Sequence, residues 1–192
     1  GGNADQDCAG VCFGDAVIDC FGICDGGAVI DECDICDGPG AEVSCWDGSF
    51  VCEESDCILP PGEPYYVVDL DNTGQSHLTI FENSIVTLDV DDQIGIFDAN
   101  GILNSNNCDN DIGELLVGAG IWDGSQLDIV STGSVDLCPF GGVQLSGFVN
   151  NNPIIIKVWD YSEQIEYYAE ANLSIGAGEF GESLTVISQL SF

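Results

Sequence analysis

"DCFGICDGGAVIDECDICDG", residues 19–38, sets a carboxylate or a cysteine at almost every second or third position, with glycines between and no apolar stripe of helical length. With its flanks it forms a repeat. "DCAGVCFGDAVI" (7–18), "DCFGICDGGAVI" (19–30) and "DECDICDGPGAEV" (31–43) share a period of 12 residues, with one inserted residue in the last copy. Asp7, Asp19 and Asp31 fall in register, as do Cys12, Cys24 and Cys36, and Gly14, Gly26 and Gly38. Cys8 and Cys20 also align, and Cys33 stands one place later. A unit this short cannot bury a core of its own. Disulfides, bound cations or both must lock each copy to the next.

The charge balance points to cations. The 192-residue chain carries 34 Asp and Glu against a single basic residue, Lys157, for a formal net charge of -33. An apolar fraction of 45% still allows a sizeable core, so the chain is expected to fold against its own repulsion. Ca²⁺ takes oxygen ligands from carboxylates and backbone carbonyls, and glycine lets the backbone turn sharply enough for carbonyls to converge. Asp7, Asp15, Asp19, Asp25, Asp31, Asp34, Asp37 and Asp47 are the expected calcium ligands of the repeat region. Farther on, Asp98 and Asn100 in "DANG" (98–101) and Asp109 and Asp111 in "NNCDNDIGE" (106–114) are candidates for loop calcium sites. Asx-rich turns explain those two stretches equally well, because Asn and Asp bond their own backbone.

Nine of the 11 cysteines precede residue 58. Zinc binding would bring His and basic residues, which this segment lacks, so disulfides in an oxidising compartment are expected. Linking neighbours gives Cys12–Cys20, Cys24–Cys33, Cys36–Cys45 and Cys52–Cys57, with Cys8 left unpaired or bonded to another chain. Sequence does not fix this connectivity. Cys108 and Cys138 are expected to pair in the second region.

Residues 7–57 resemble the Asp-Cys-x-Gly-x-Cys repeats of large secreted and surface proteins of aquatic bacteria. They are more distantly similar to the calcium-wrapped type 3 repeats of thrombospondins, but lack a clean Asp-x-Asp-x-Asp-Gly string. The resemblance implies calcium as cofactor and an extracellular setting.

Residues 1–57 thus form a Cys/Asp/Gly repeat region, and "ILPPGE" (58–63) reads as a linker. Residues 64–192 alternate as strands do, with candidates at 65–70, 76–81, 85–90, 94–97, 115–122, 126–130, 153–161, 165–174 and 184–190. Such strands without helical crossovers predict an antiparallel β-sandwich. The fold class is therefore mainly β: a disulfide-rich, calcium-braced irregular repeat region followed by that sandwich. "DDQIGIFDANG" (91–101), "GELLVGAGIWDGSQLDIVS" (113–131) and "NPIIIKVWDYSEQIEY" (152–167) resemble a β-sandwich module of secreted bacterial proteins, which implies an extracellular module and names no activity.

Several functions are disfavoured. A chain this acidic does not suit nucleic-acid phosphates or an anionic membrane, and no apolar run approaches the length of a membrane span. The start Gly1-Gly2-Asn3, with no Met anywhere, reads as a processed chain or a piece of a longer one. "DLDNTG" (69–74) begins like an EF-hand loop, but its twelfth position is Ile80 rather than Glu. The single histidine, His77, stands in a candidate strand with no nucleophile motif near it. No carboxylate pair stands out for glycosidase chemistry, and no phosphate-binding glycine loop is present. Trp46, Trp122 and Trp159 are candidates for stacking on sugars, with partial burial in the core as the competing reading. On the strand around Trp159, Ile154, Ile156 and Val158 share one face. If that face is the core, Lys157, Trp159 and Tyr161 form an exposed or interface strip. These readings predict a non-enzymatic, calcium-stabilised structural subunit of a cell-surface fibre or modular surface protein that self-associates. A calcium-dependent carbohydrate-binding adhesin with glycan partners is the alternative.

Overall fold

The computed structural model describes residues 6–103 and 107–192. The start Gly1-Gly2-Asn3 and Asn106 of the acidic loop lie outside them. Contacts divide the chain into two units, Gly1–Pro60 and Pro61–Phe192, with the division inside the 58–63 segment.

The first unit is built from turns. Each copy opens on an Asp whose amide donates to the carbonyl four residues on: Asp7 to Val11, Asp19 to Ile23 and Asp31 to Ile35, at 2.9–3.0 Å. The carbonyl of each Asp accepts from the residue three places later, which is Gly10, Gly22 or Asp34. All three take a left-handed backbone, with φ of 80°, 80° and 60°. Asp is among the few side chains that tolerate this region, so Asp34 can stand where the earlier copies use glycine. After the third copy, β1 (Val43–Ser44) and β2 (Phe50–Val51) form a short hairpin, followed by a 3-10 turn at Glu54–Asp56. Among residues 6–60 only Cys45 is buried. These described residues form no hydrophobic core.

The second unit is mainly β and has one. Its strands are β3 (Ser76–Phe81), β4 (Gln93–Ile102), β5 (Ile112–Ile121), β6 (Leu127–Thr132), β7 (Val135–Asp136), β8 (Gln144–Leu145), β9 (Ile155–Asp160), β10 (Ile165–Ile175) and β11 (Thr185–Ser191). Seven of them form one sheet in the order β5-β4-β9-β10-β11-β3-β6. The long strand β10 joins its two halves. Residues Ile165 to Ala169 pair with β9, and residues Glu170 to Ile175 pair with β11 across two irregularities in register. The end strands β5 and β6 share no ladder, yet they pack closely: a Cβ on Gly118 would meet Ile129 at 2.9 Å and Ser131 at 2.7 Å. Phe81, Ile94, Ile96, Val117, Trp122, Ile129, Ile156, Val158 and Ile187 fill the core with Phe148 and Phe180.

Three expectations need correction. The sheet is not purely antiparallel, because β11 runs parallel to β3. Residues 85–90 are not a strand: Ile85 and Leu88 are buried while Val86, Thr87 and Val90 are exposed, a spacing of three that a strand cannot produce. Residues 65–70 also form no ladder. The Tyr65 amide donates to the Gln93 side chain at 2.6 Å, and Gln93 donates back to the Glu63 carbonyl at 2.7 Å, so side chains take the place of a strand partner.

Candidate functional site

The repeat aspartates have a use that the calcium reading did not anticipate. Asp19 Oδ1 accepts the amides of Phe21 (3.0 Å) and Ile23 (2.8 Å), and Oδ2 accepts that of Ala28 at 3.4 Å. Asp7 accepts Ala9, Val11 and Ala16 at the same offsets. Asp31 accepts Cys33, Ile35 and Gly40, each at 2.9 Å. The Ile35 amide, working against some desolvation and helped by Gly40 and Cys33, holds the Asp31 carboxyl below its ordinary range. That contribution to stability is present above the ordinary carboxylate pKa and is lost as pH falls through the lowered one.

The in-register glycines follow from the same geometry. A Cβ on Gly14, Gly26 or Gly38 would overlap the carboxylate of Asp7, Asp19 or Asp31 respectively. Gly26→Ala is therefore expected to push Asp19 off its amides. Losing these charge-assisted bonds should cost about 1–3 kcal/mol locally, read as faster hydrogen exchange at Phe21, Ile23 and Ala28. Unchanged exchange there would refute the assignment.

The other predicted ligands are scattered. Asp25 and Asp37 are exposed, with left-handed φ of 56° and 52°, and Asp15 is exposed. Asp47 accepts the Ser49 hydroxyl (2.7 Å) and amide (2.9 Å), which lower its pKa. Asp98 is fully buried but satisfied, by the amides of Asn100 and Val149 and by the Asn152 side chain. Asn100, Asp109 and Asp111 are exposed. Among the described residues no group of three or more His, Cys, Asp or Glu side chains gathers so as to hold a metal ion. The carboxylates of Asp7, Asp19 and Asp31 face backbone amides of their own turns rather than one another.

The disulfides reach farther than neighbour pairing predicts. Cys8 bonds Cys24 and Cys20 bonds Cys36, each across 16 residues. Cys33 bonds Cys52, Cys45 bonds Cys57, and Cys108 bonds Cys138 as expected. The free cysteine is Cys12, not Cys8. The turns separate neighbours in sequence and bring the first cysteine of one copy to the second cysteine of the next, with Cα atoms 5.5 Å apart for Cys8–Cys24. The amides of Asp25 and Asp37 tie the same copies by donating to Val17 and Val29 of the copy before. Every residue from 8 to 57 lies inside at least one disulfide loop, and each loop overlaps the next.

In the second unit the outward face of β9 is covered. Lys157 is 7% exposed. Its ammonium bonds Glu114 at 2.6 Å, lies 3.5 Å from Glu166, and sits 4.4 Å over the Phe97 ring and 4.8 Å over that of Tyr168. Burial alone would push the Lys157 pKa down. The hydrogen bond to Glu114, with help from Tyr168 and Glu166, outweighs it and holds the pKa above the usual lysine value. Tyr66 donates to Glu166 at 2.9 Å. Tyr65 stacks on one face of Trp159 at 3.8 Å, and Trp122 is core and offers no face to a sugar.

His77 is 1% exposed, with Nε2 on the Thr185 hydroxyl at 3.1 Å. Burial pushes its pKa down, against Glu182. As pH drops below about 6.5 the unfolded chain takes up a proton that the native ring resists, so acid draws stability away. His77→Gln is expected to remove that part of the pH slope, which is at most about 1.4 kcal/mol per unit. Parallel melting curves of both proteins between pH 7 and 5 check it, and identical slopes would contradict it.

Of the three tryptophans only Trp122 lies in the core, since Trp159 is half-buried and Trp46 is exposed, and three features escaped sequence reading. They are the Asp–amide loops, the staggered disulfide register and the cage around Lys157. The offsets of two, four and nine residues from each Asp were a signal available only for the first of these. A scan against protein-family models found no match, and searches of curated proteins and of solved structures found none either.

Proposed function

We propose that this chain is an extracellular structural module, part of a surface fibre or modular surface protein, in which the acidic repeat is a covalently laced spacer for a β domain. Its β domain is read as a sandwich whose halves are joined through β10. Five disulfides fit an oxidising environment outside the cell.

The observation that carries this reading is the overlap of the four loops in residues 8–57. Tension applied along that segment passes from disulfide to disulfide and leaves most of the backbone slack. Exposed apolar residues recur with the repeat: Val11, Ile23 and Ile35, and Val17 and Val29 at 70% and 69% exposure. They supply a lateral surface for self-association, where calcium would act as a counterion between acidic chains rather than as a caged ligand. Lys157 is locked in an ion pair and His77 is sealed in the core, which favours a structural role over a catalytic one.

Single-molecule stretching tests the proposal. The oxidised chain should lengthen only by unfolding of residues 61–192, and reduction should release the repeat as added contour length. Release of the repeat without reduction would overturn the reading.

A further inference from the structure

The two disulfides that join the copies obey one rule. The second cysteine of a copy, Cys24 or Cys36, closes on the first cysteine of the copy before it, Cys8 or Cys20. Cys12 is the second cysteine of the first copy, and it is the free, exposed cysteine. Its backbone is nonetheless set as theirs is. Cys12 forms a β-bridge with Gln6, as Cys24 does with Ile18 and Cys36 with Ile30. The residue after it, Phe13, takes a φ of 55°, beside 56° and 52° at Asp25 and Asp37. The Cys12 sulfur accepts a contact from the Gln6 side-chain amide at 3.8 Å.

We propose that Cys12 is a covalent docking site for a further Asp-Cys-x-Gly-x-Cys copy, whose first cysteine bonds it in the register that Cys8 keeps toward Cys24. Cys8, Cys20, Cys33 and Cys45 are all already bonded. The partner therefore belongs to a copy beyond these three, either contiguous with the chain or carried by another molecule. A Cys12–Cys12 bond between two identical chains would join second cysteine to second cysteine and break the rule. In forming the bond, the two thiols lose two protons and two electrons to a small-molecule or protein disulfide, which leaves as two thiols. This inference rests on the disulfide register and stands apart from the fibre reading.

The test adds one copy of residues 7–18 directly before Asp7 in the full chain and refolds it oxidatively. Alkylation without reduction should label one thiol, now the second cysteine of the added copy, and a non-reduced peptide map should link Cys12 to the added first cysteine. An alkylatable Cys12, with the two added cysteines bonded to each other, overturns the proposal. The same map on material purified from its natural source gives a reading independent of refolding. Cys12 joined to an Asp-Cys peptide supports the proposal, and the covalent mass then tells a contiguous copy from a second molecule. A free Cys12 or a Cys12–Cys12 bond refutes it.

Discussion

Lys157→Ala is expected to lower the stability of the β domain by about 2–3 kcal/mol, a melting shift of roughly 10 °C. Lys157 is the only Lys or Arg in a chain with 34 acids. Its side chain is 8% exposed, against 42% for Glu114 and 30% for Glu166. Truncation leaves two carboxylates facing each other with no cation between them, and it strips the contacts over Phe97 and Tyr168. Breaking a fully buried pair costs about 3–5 kcal/mol, but both carboxylates reach water and can rehydrate, so the expectation lies lower. Lys157→Met keeps a long stem over the rings and should recover part of the loss, which separates packing from charge. Urea unfolding followed by the fluorescence of Trp122 and Trp159 gives the number. An alanine variant within 0.5 kcal/mol of the parent would show that the cluster contributes little.

Full reduction is expected to unfold the repeat and spare the β domain. The four repeat disulfides span 16, 16, 19 and 12 residues, and closing a loop of about 15 residues is worth roughly 3 kcal/mol in the chain-entropy account. No hydrophobic core compensates there, since only Cys45 is buried among residues 6–60. The second unit has a continuous core and a single disulfide, Cys108–Cys138. With a phosphine reductant, amide protection in residues 7–57 should fall to near zero, while the β domain melts only a few degrees lower. Joint collapse of both units, or survival of the repeat, would contradict this division of labour.

The sequence displayed the period, the two-part organisation and seven of the sheet's strands, because all are written in local spacing. Alternation placed Ile156 and Val158 inward, where they are found. It could not say that the opposite face of β9 would be covered, because Tyr65 and Tyr66 reach that face from a segment that pairs with no strand. Strand-like composition misled at residues 85–90, where Ile85 and Leu88 are buried from a loop. For the aspartates, local spacing leaves the ligand open for a chemical reason. A carboxylate that collects backbone amides and one that collects a cation both sit among glycines in tight turns, and only the directions of the N–H groups tell them apart. Disulfide connectivity escaped for a similar reason, since cysteines near in sequence face apart when each copy turns back on itself.

Aspartate–amide loops and interlocking disulfides hold the repeat. Hydrogen exchange of the oxidised protein, measured at Val11, Ile23 and Ile35 in calcium and again in excess EGTA, tests this most directly. These amides, which donate to Asp7, Asp19 and Asp31 at 2.8–2.9 Å, should keep the same protection in both buffers. Loss of that protection on chelation, with every disulfide intact, would mean that bound cations hold the loops and that this account of the repeat is wrong.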